Sequence, residues 1–101
     1  MSAPFHTLLV LDFETAWSRR EGYTLSKMTT EEYVRDPRFK AWGVVIKEFG
    51  TGKPSQWYGH DELPRIFRAY DWSKTAVVAQ NTVFDASILS WHYGVHPVLL
   101  L

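Results

Sequence analysis

Cysteine is missing from this chain, which excludes disulfide bridges and thiolate metal sites. Excess charge is missing too: eleven Lys and Arg balance eleven Asp and Glu. A neutral balance gives no chain-wide pull toward nucleic acid, although a local patch can supply one. No apolar run approaches the roughly 18 residues that cross a bilayer, so no membrane is expected as a partner. The opening MSAPFHTLLVLDFE has no basic segment before its short apolar run and no small-residue cleavage site, so it does not read as a secretory signal. The expectation is a soluble intracellular protein. Internal repeats, low-complexity tracts and linkers are also lacking, and residues 1–101 are read as one domain. What is present is a 46% apolar composition with five tryptophans, enough for the core of a small domain.

Local patterns divide the chain. Residues 7–13 are short, apolar and bounded by polar residues, the mark of a buried strand. Residues 15–41 mix polar and aromatic side chains without strand periodicity. Within them MTTEEYVRDP predicts a helix, with Thr29 as cap, Glu32 as capping-box partner and Pro37 stopping it near Asp36. GVVIKEF (43–49) and SQWYG (55–59) flank GTGKP and predict a hairpin. Leu63, Ile66, Phe67 and Tyr70 then fall at helical spacing, with Asp61 as the cap. TAVVAQ (75–80) predicts a second buried strand. The next segment predicts a helix capped by Asn81 and ended by Gly94, with Phe84, Ile88, Leu89 and either Trp91 or His92 on one face. VHPVLLL reads as the start of another strand. This order suits a mixed sheet with helices packed on it.

Chemistry is suggested by three acids. Asp12 and Glu14 are two apart on the first strand, so both project from one face. Two like charges that close raise each other's cost of ionisation unless a cation lies between them. Oxygen ligands suit Mg²⁺, with Mn²⁺ as a substitute. Asp85 lies one turn into the helix that follows the second buried strand, and if the two strands are neighbours its carboxylate opens near Asp12. Taken singly each acid has a plainer explanation: a solvated turn for Asp12 and Glu14, a helix-dipole partner for Asp85, and only a cap for Asn81.

LDFET (11–15) followed by AQNTVFDASIL (79–89) resembles the first two motifs of the DEDD 3′–5′ exonucleases, whose domains are ribonuclease H-like. YTLSKMTTEEYVRDPRF and DWSKTAVVAQNTVFDASILSWHYGVHP, in that order, are similar to the N-terminal proofreading domain of bacteriophage-type family A DNA polymerases. The resemblance runs from about residue 7 to residue 101. It implies an α/β, ribonuclease H-like mixed sheet flanked by helices. It also implies two Mg²⁺ or Mn²⁺ ions and metal-assisted hydrolysis at a single-stranded DNA 3′ end. A polymerase domain in the full-length protein and a phage-infected or prophage-carrying bacterial cytoplasm go with it.

By the same resemblance Asp12 bridges both metals, Glu14 binds the one on the nucleophile side and Asp85 holds the second. Thr15 and Phe84 face the terminal nucleotide, and Asn81 lies near the substrate strand. Two departures stand out. The family's usual Ala-His-Asn is Ala79-Gln80-Asn81 here, at a position that is not a metal ligand. The family's third motif, with a fourth carboxylate and a Tyr or His that orients the water, has no counterpart, because no Asp or Glu follows Asp85. The chain is therefore expected to be the front of such a domain, incomplete at its C-terminus.

Other signals give way to plainer explanations. FGTGKP lacks the spacing of a phosphate-binding loop and precedes a strand. His92 and His96 are interrupted by Gly94 and followed by Pro97, which breaks the helix a zinc pair would need. Trp57, Trp72 and Trp91 are expected in the core. Residues 15–41 hold six cations against four acids, interleaved with Trp17, Tyr23 and Tyr33, and form either a single-strand path or a solvated lid. The rival to catalysis is a silent nucleic-acid-binding or polymerase-accessory fragment of the same fold. An RNA-trimming nuclease is a second rival.

Overall fold

Leu9, Leu11 and Phe13 alternate along one strand with Val10, Asp12 and Glu14, and this period of two decides what each face of the sheet meets. The computed structural model describes residues 5–101, so the first four residues of the N-terminal stretch discussed above lie outside it. Strand β1 (Thr7–Thr15) runs two residues further than its apolar run suggests. Its extension is paired with β2 (Ala41–Glu48), antiparallel from Leu9–Glu48 to Thr15–Ala41. A bulge between Glu14 and Thr15 makes Trp42 the extra residue of β2. Glu14, one residue past the expected end, therefore lies within the strand as Asp12 does.

β3 (Gln56–Gly59) pairs antiparallel with β2 and completes the expected hairpin, with Gly50 and Gly52 at positive φ in the connection. β4 (Thr75–Val78) pairs parallel with β1 from Thr7–Thr75 to Val10–Val78, and β5 (Leu99–Leu100) pairs parallel with β4. The sheet is thus mixed, with five strands in the order β3-β2-β1-β4-β5. The protein is an α/β fold in which β1 is the central strand. β4 ends at Val78, short of the expected residue 80. Beyond Val10, β1 has a strand partner on one side only.

Three helices bury their apolar residues in the core formed by Leu9, Leu11, Phe13, Val44, Ile46 and Val77. α1 (Thr30–Arg35) contributes Tyr33 and Val34. It starts in the capping box read from the sequence: Thr29 Oγ1 accepts from Glu32 N at 3.1 Å and Glu32 Oε1 accepts from Thr29 N at 3.0 Å. It ends because Pro37 forces Asp36 into extended backbone. α2 (Leu63–Arg68) contributes Leu63, Ile66 and Phe67. Asp61 does not cap it: Asp61 lies inside a 3₁₀ turn over His60–Glu62, and Glu62 is the acid that accepts from the preceding Gly59 N, at 2.9 Å. Tyr70 falls past the end of α2 and is only partly buried.

α3 (Thr82–Tyr93) buries Phe84, Asp85, Ile88 and Leu89 and ends at Gly94 in the left-handed conformation. Two of the three tryptophans expected inside are outside. Trp57 and Trp91 are each more than half exposed, whereas Trp72 packs on the core and donates Nε1–H to Phe67 O at 2.7 Å. Trp57 lies over Gly43 at the sheet surface, and Trp91 is turned to the outer side of α3, where the Arg35 guanidinium stacks 4.0 Å from its ring. His92 is exposed as well, so neither residue joins the buried face; it stacks on Phe39 at 4.2 Å and donates to Val34 O at 2.7 Å. Among the described residues no helix is long and apolar enough to cross a membrane.

Candidate active site

Where β4 stops and β1 continues, the unpaired edge of β1 is met by a side chain. Asp85 sits in the first turn of α3, fixed because Asn81 caps that helix by accepting from Phe84 N at 3.3 Å, and Asp85 N donates to Asn81 O at 3.1 Å. Its Oδ1 accepts from the backbone N–H of Phe13 at 3.2 Å. The carboxylate thus satisfies a buried donor that lies beyond the last β1–β4 residue pair. The parallel pairing of β1 with β4 supplies the neighbourhood that the sequence argument needed.

Asp85 is 4% exposed. Burial pushes its pKa up to about 6; the Phe13 N–H works against that rise, and the nearby Asp12 charge adds to it. Asp85 thus reaches the backbone of the residue next to Asp12 at the edge of β1. Asp12 and Glu14 are both exposed and share one face of the strand, the face opposite Phe13. The donor chemistry, carboxylate oxygens only, fits a hard divalent cation. The grouping goes less far: among the described residues no set of three or more His, Asp or Glu side chains is arranged to hold a metal ion.

Thr15 closes β1. Its Oγ1 is 2.8 Å from the Tyr33 hydroxyl, which also donates to Ala16 O, so the strand end is tied to α1. Phe84 is buried, with its ring 5.8 Å from that of Tyr33. Asn81 is exposed beyond the cap bond it makes. Tyr23 and Tyr33 stack with centroids 4.4 Å apart and are both buried, so neither ring is open to a strand as the sequence reading allowed. Burial likewise pushes the Tyr23 hydroxyl above the usual tyrosine range. Trp17 alone of that trio is exposed.

Two features escaped the sequence reading. The first is the Phe13 amide, a backbone group that no residue type announces. The second is a pair of ring–cation contacts beside the acids: Arg19 over Trp17 at 5.7 Å and Lys40 over Trp42 at 4.7 Å. The Lys-x-Trp spacing at the start of β2 was an available signal for the second pair, whereas Arg19 reaches Trp17 from the turn that begins at Arg19. A scan against protein-family models, a search of curated proteins and a search of solved structures each find no match to this chain.

Proposed function

We propose that the chain carries the first part of a ribonuclease H-like 3′–5′ exonuclease site of the proofreading type, acting on the 3′ end of single-stranded DNA. The observation that carries this reading is that Asp85, from the helix after the neighbouring parallel strand, bonds the backbone N–H of Phe13, the residue next to Asp12 on the central strand. The order β3-β2-β1-β4-β5 with β2 antiparallel agrees with such a fold. Asp12, Glu14 and Asp85 are the residues that would hold Mg²⁺ or Mn²⁺. Two such ions, when bound, supply an activated water and charge stabilisation at the departing 3′-oxygen.

The chain's own part is to place acids where a cation would offset their cost of ionisation; burial raises the pKa of Asp85 and the Asp12 charge adds to that rise. Asn81 holds the first turn of α3, and Thr15 marks the end of β1 from which a terminal nucleotide would be contacted, with Phe84 behind it. A polymerase domain as partner and a bacterial cytoplasmic setting belong to the same proposal.

The test is thermal. Millimolar Mn²⁺ or Mg²⁺ raises the Tm of the wild type, and Asp12→Ala abolishes the rise. An unchanged melting curve for the wild type sinks the metal site. Release of label from a 3′-labelled single strand then reads the reaction itself. The second reading, a silent DNA-gripping fragment, is favoured by the lack of a three-carboxylate group among the described residues. It requires binding of that strand with its label retained.

A further inference from the structure

Next to the acids, at the end of β1, a hollow of about 310 Å³ opens between the strand and the segment that leads to α1. Thr15 and Tyr33 form its inner wall, Thr24 and Ser26 bring hydroxyls to it, and Trp17 and Arg19 stand at its side. Trp17 is 64% exposed although Arg19 covers part of its ring, so ring surface remains for another planar group. Across the Ala16 N–Lys40 O hydrogen bond (2.9 Å) lies the second pair, with Trp42 51% exposed under Lys40.

Among the described residues four of the six cations in residues 15–41 lack an ion pair, Arg19, Arg20, Lys27 and Lys40, and of these Arg19 and Lys40 lie over indole rings. Arg35 is bound to Glu31 at 2.6 Å and Arg38 to Asp36 at 2.9 Å. Uncommitted cations beside exposed indoles are what a phosphate backbone with unstacked bases requires: charge for the phosphates, a π-face for each base. Hydroxyls on the inner wall suit a sugar or a base edge. Each cation also steadies its ring, which lowers the conformational cost of stacking a base on it.

We infer that the hollow and the Trp17–Arg19 and Lys40–Trp42 pairs form the entry path for single-stranded DNA, with one nucleotide seated in the hollow against Trp17. The inference rests on the nuclease reading for the direction of the strand toward Asp12 and Glu14, but the binding itself needs no metal.

The test is fluorescence anisotropy of a 5′-labelled oligothymidylate of roughly a dozen nucleotides, in EDTA, across a salt series. Wild type binds. Trp17→Ala weakens binding about tenfold or more, and Trp42→Ala weakens it in the same direction. Arg19→Ala lowers the salt slope by about 0.7, the contribution of one phosphate contact on a single strand. Trp91→Ala, an exposed tryptophan on the outer side of α3, leaves affinity unchanged. No binding by wild type, unchanged affinity of Trp17→Ala, or equal losses from Trp17→Ala and Trp91→Ala would each overturn the path. The metal-induced Tm rise is measured on the same proteins. If the rise persists while the strand data fail, only the path falls; if strand binding depends on Trp17 while the rise is missing, only the nuclease reading falls.

Discussion

Asp85 carries two burdens in one side chain: it accepts a backbone hydrogen bond inside the core edge, and it remains an acid beside another acid. The consequence for stability has a definite sign. Its folded pKa of about 6 lies above the unfolded value of about 3.9. The folded protein therefore holds that proton more tightly, and stability from this group is full below about pH 4 and is lost as pH rises through 6. Asp85→Asn keeps an acceptor for Phe13 N–H and removes the charge. In EDTA it melts with wild type near pH 4 and roughly 8–16 °C above it at pH 7.5, a gain on the order of 2 kcal/mol. Calorimetry at both pH values checks this, and a variant that melts below wild type at pH 7.5 contradicts it. Asp12 and Glu14, exposed on the strand face, have no such structural duty, so Glu14→Gln is expected to leave the Tm in EDTA within about 0.5 kcal/mol of wild type.

Among elements, α1 and the β2–β3 hairpin offer contrasting cases of what local sequence reveals. The Thr29–Glu32 capping box and the Pro37 stop were legible because each is settled within four residues. Thr29→Ala is expected to cost about 1 kcal/mol by chemical denaturation. Because Tyr33 of α1 holds Thr15 and walls the hollow, the same change should also weaken oligothymidylate binding. The hairpin was legible from its glycine-rich turn, but the role of Gly43 was not. A methyl group there meets the Trp57 ring and the Tyr58 carbonyl, and the carbonyl is backbone that cannot swing away. Gly43→Ala is therefore expected to lower stability by about 1–3 kcal/mol, with little recovery when Trp57→Ala is added. Trp57 and Trp91 were misplaced for a related reason. Ring size and apolar character say that an indole can be buried; only the partner element says which side of a strand or helix is covered.

For the molecule as a whole, the mixed sheet and the element order followed from periodicity, whereas the neighbours of β1 did not. The approach of Asp85 to the backbone beside Asp12 depends on β4 lying next to β1, a pairing between segments more than sixty residues apart that no local pattern encodes. The third acid shows the same limit: alternation put Glu14 on the face of Asp12, yet alternation says nothing about how far a neighbouring helix reaches. β1 is held on both sides over Leu9 and Val10 and by Asp85 at Phe13, while β5 pairs through two residues at the sheet margin. Hydrogen exchange should follow that gradient, with the Leu9–Phe13 amides slowest and the Leu101 amide fast. Comparable protection at both would mean that the sheet opens as one unit rather than from its margin.

The shortness of β4 has a last implication, for divergence. Positions 12 and 14 can exchange their carboxylates for other polar groups without disturbing the interior, but position 85 must go on offering an oxygen to the amide of residue 13. In related chains positions 12 and 14 should therefore vary wherever the proposed hydrolysis is not retained, while position 85 keeps Asp or Asn. Variation sorted by those three positions would separate groups that the proposed reaction needs from the one that the scaffold needs.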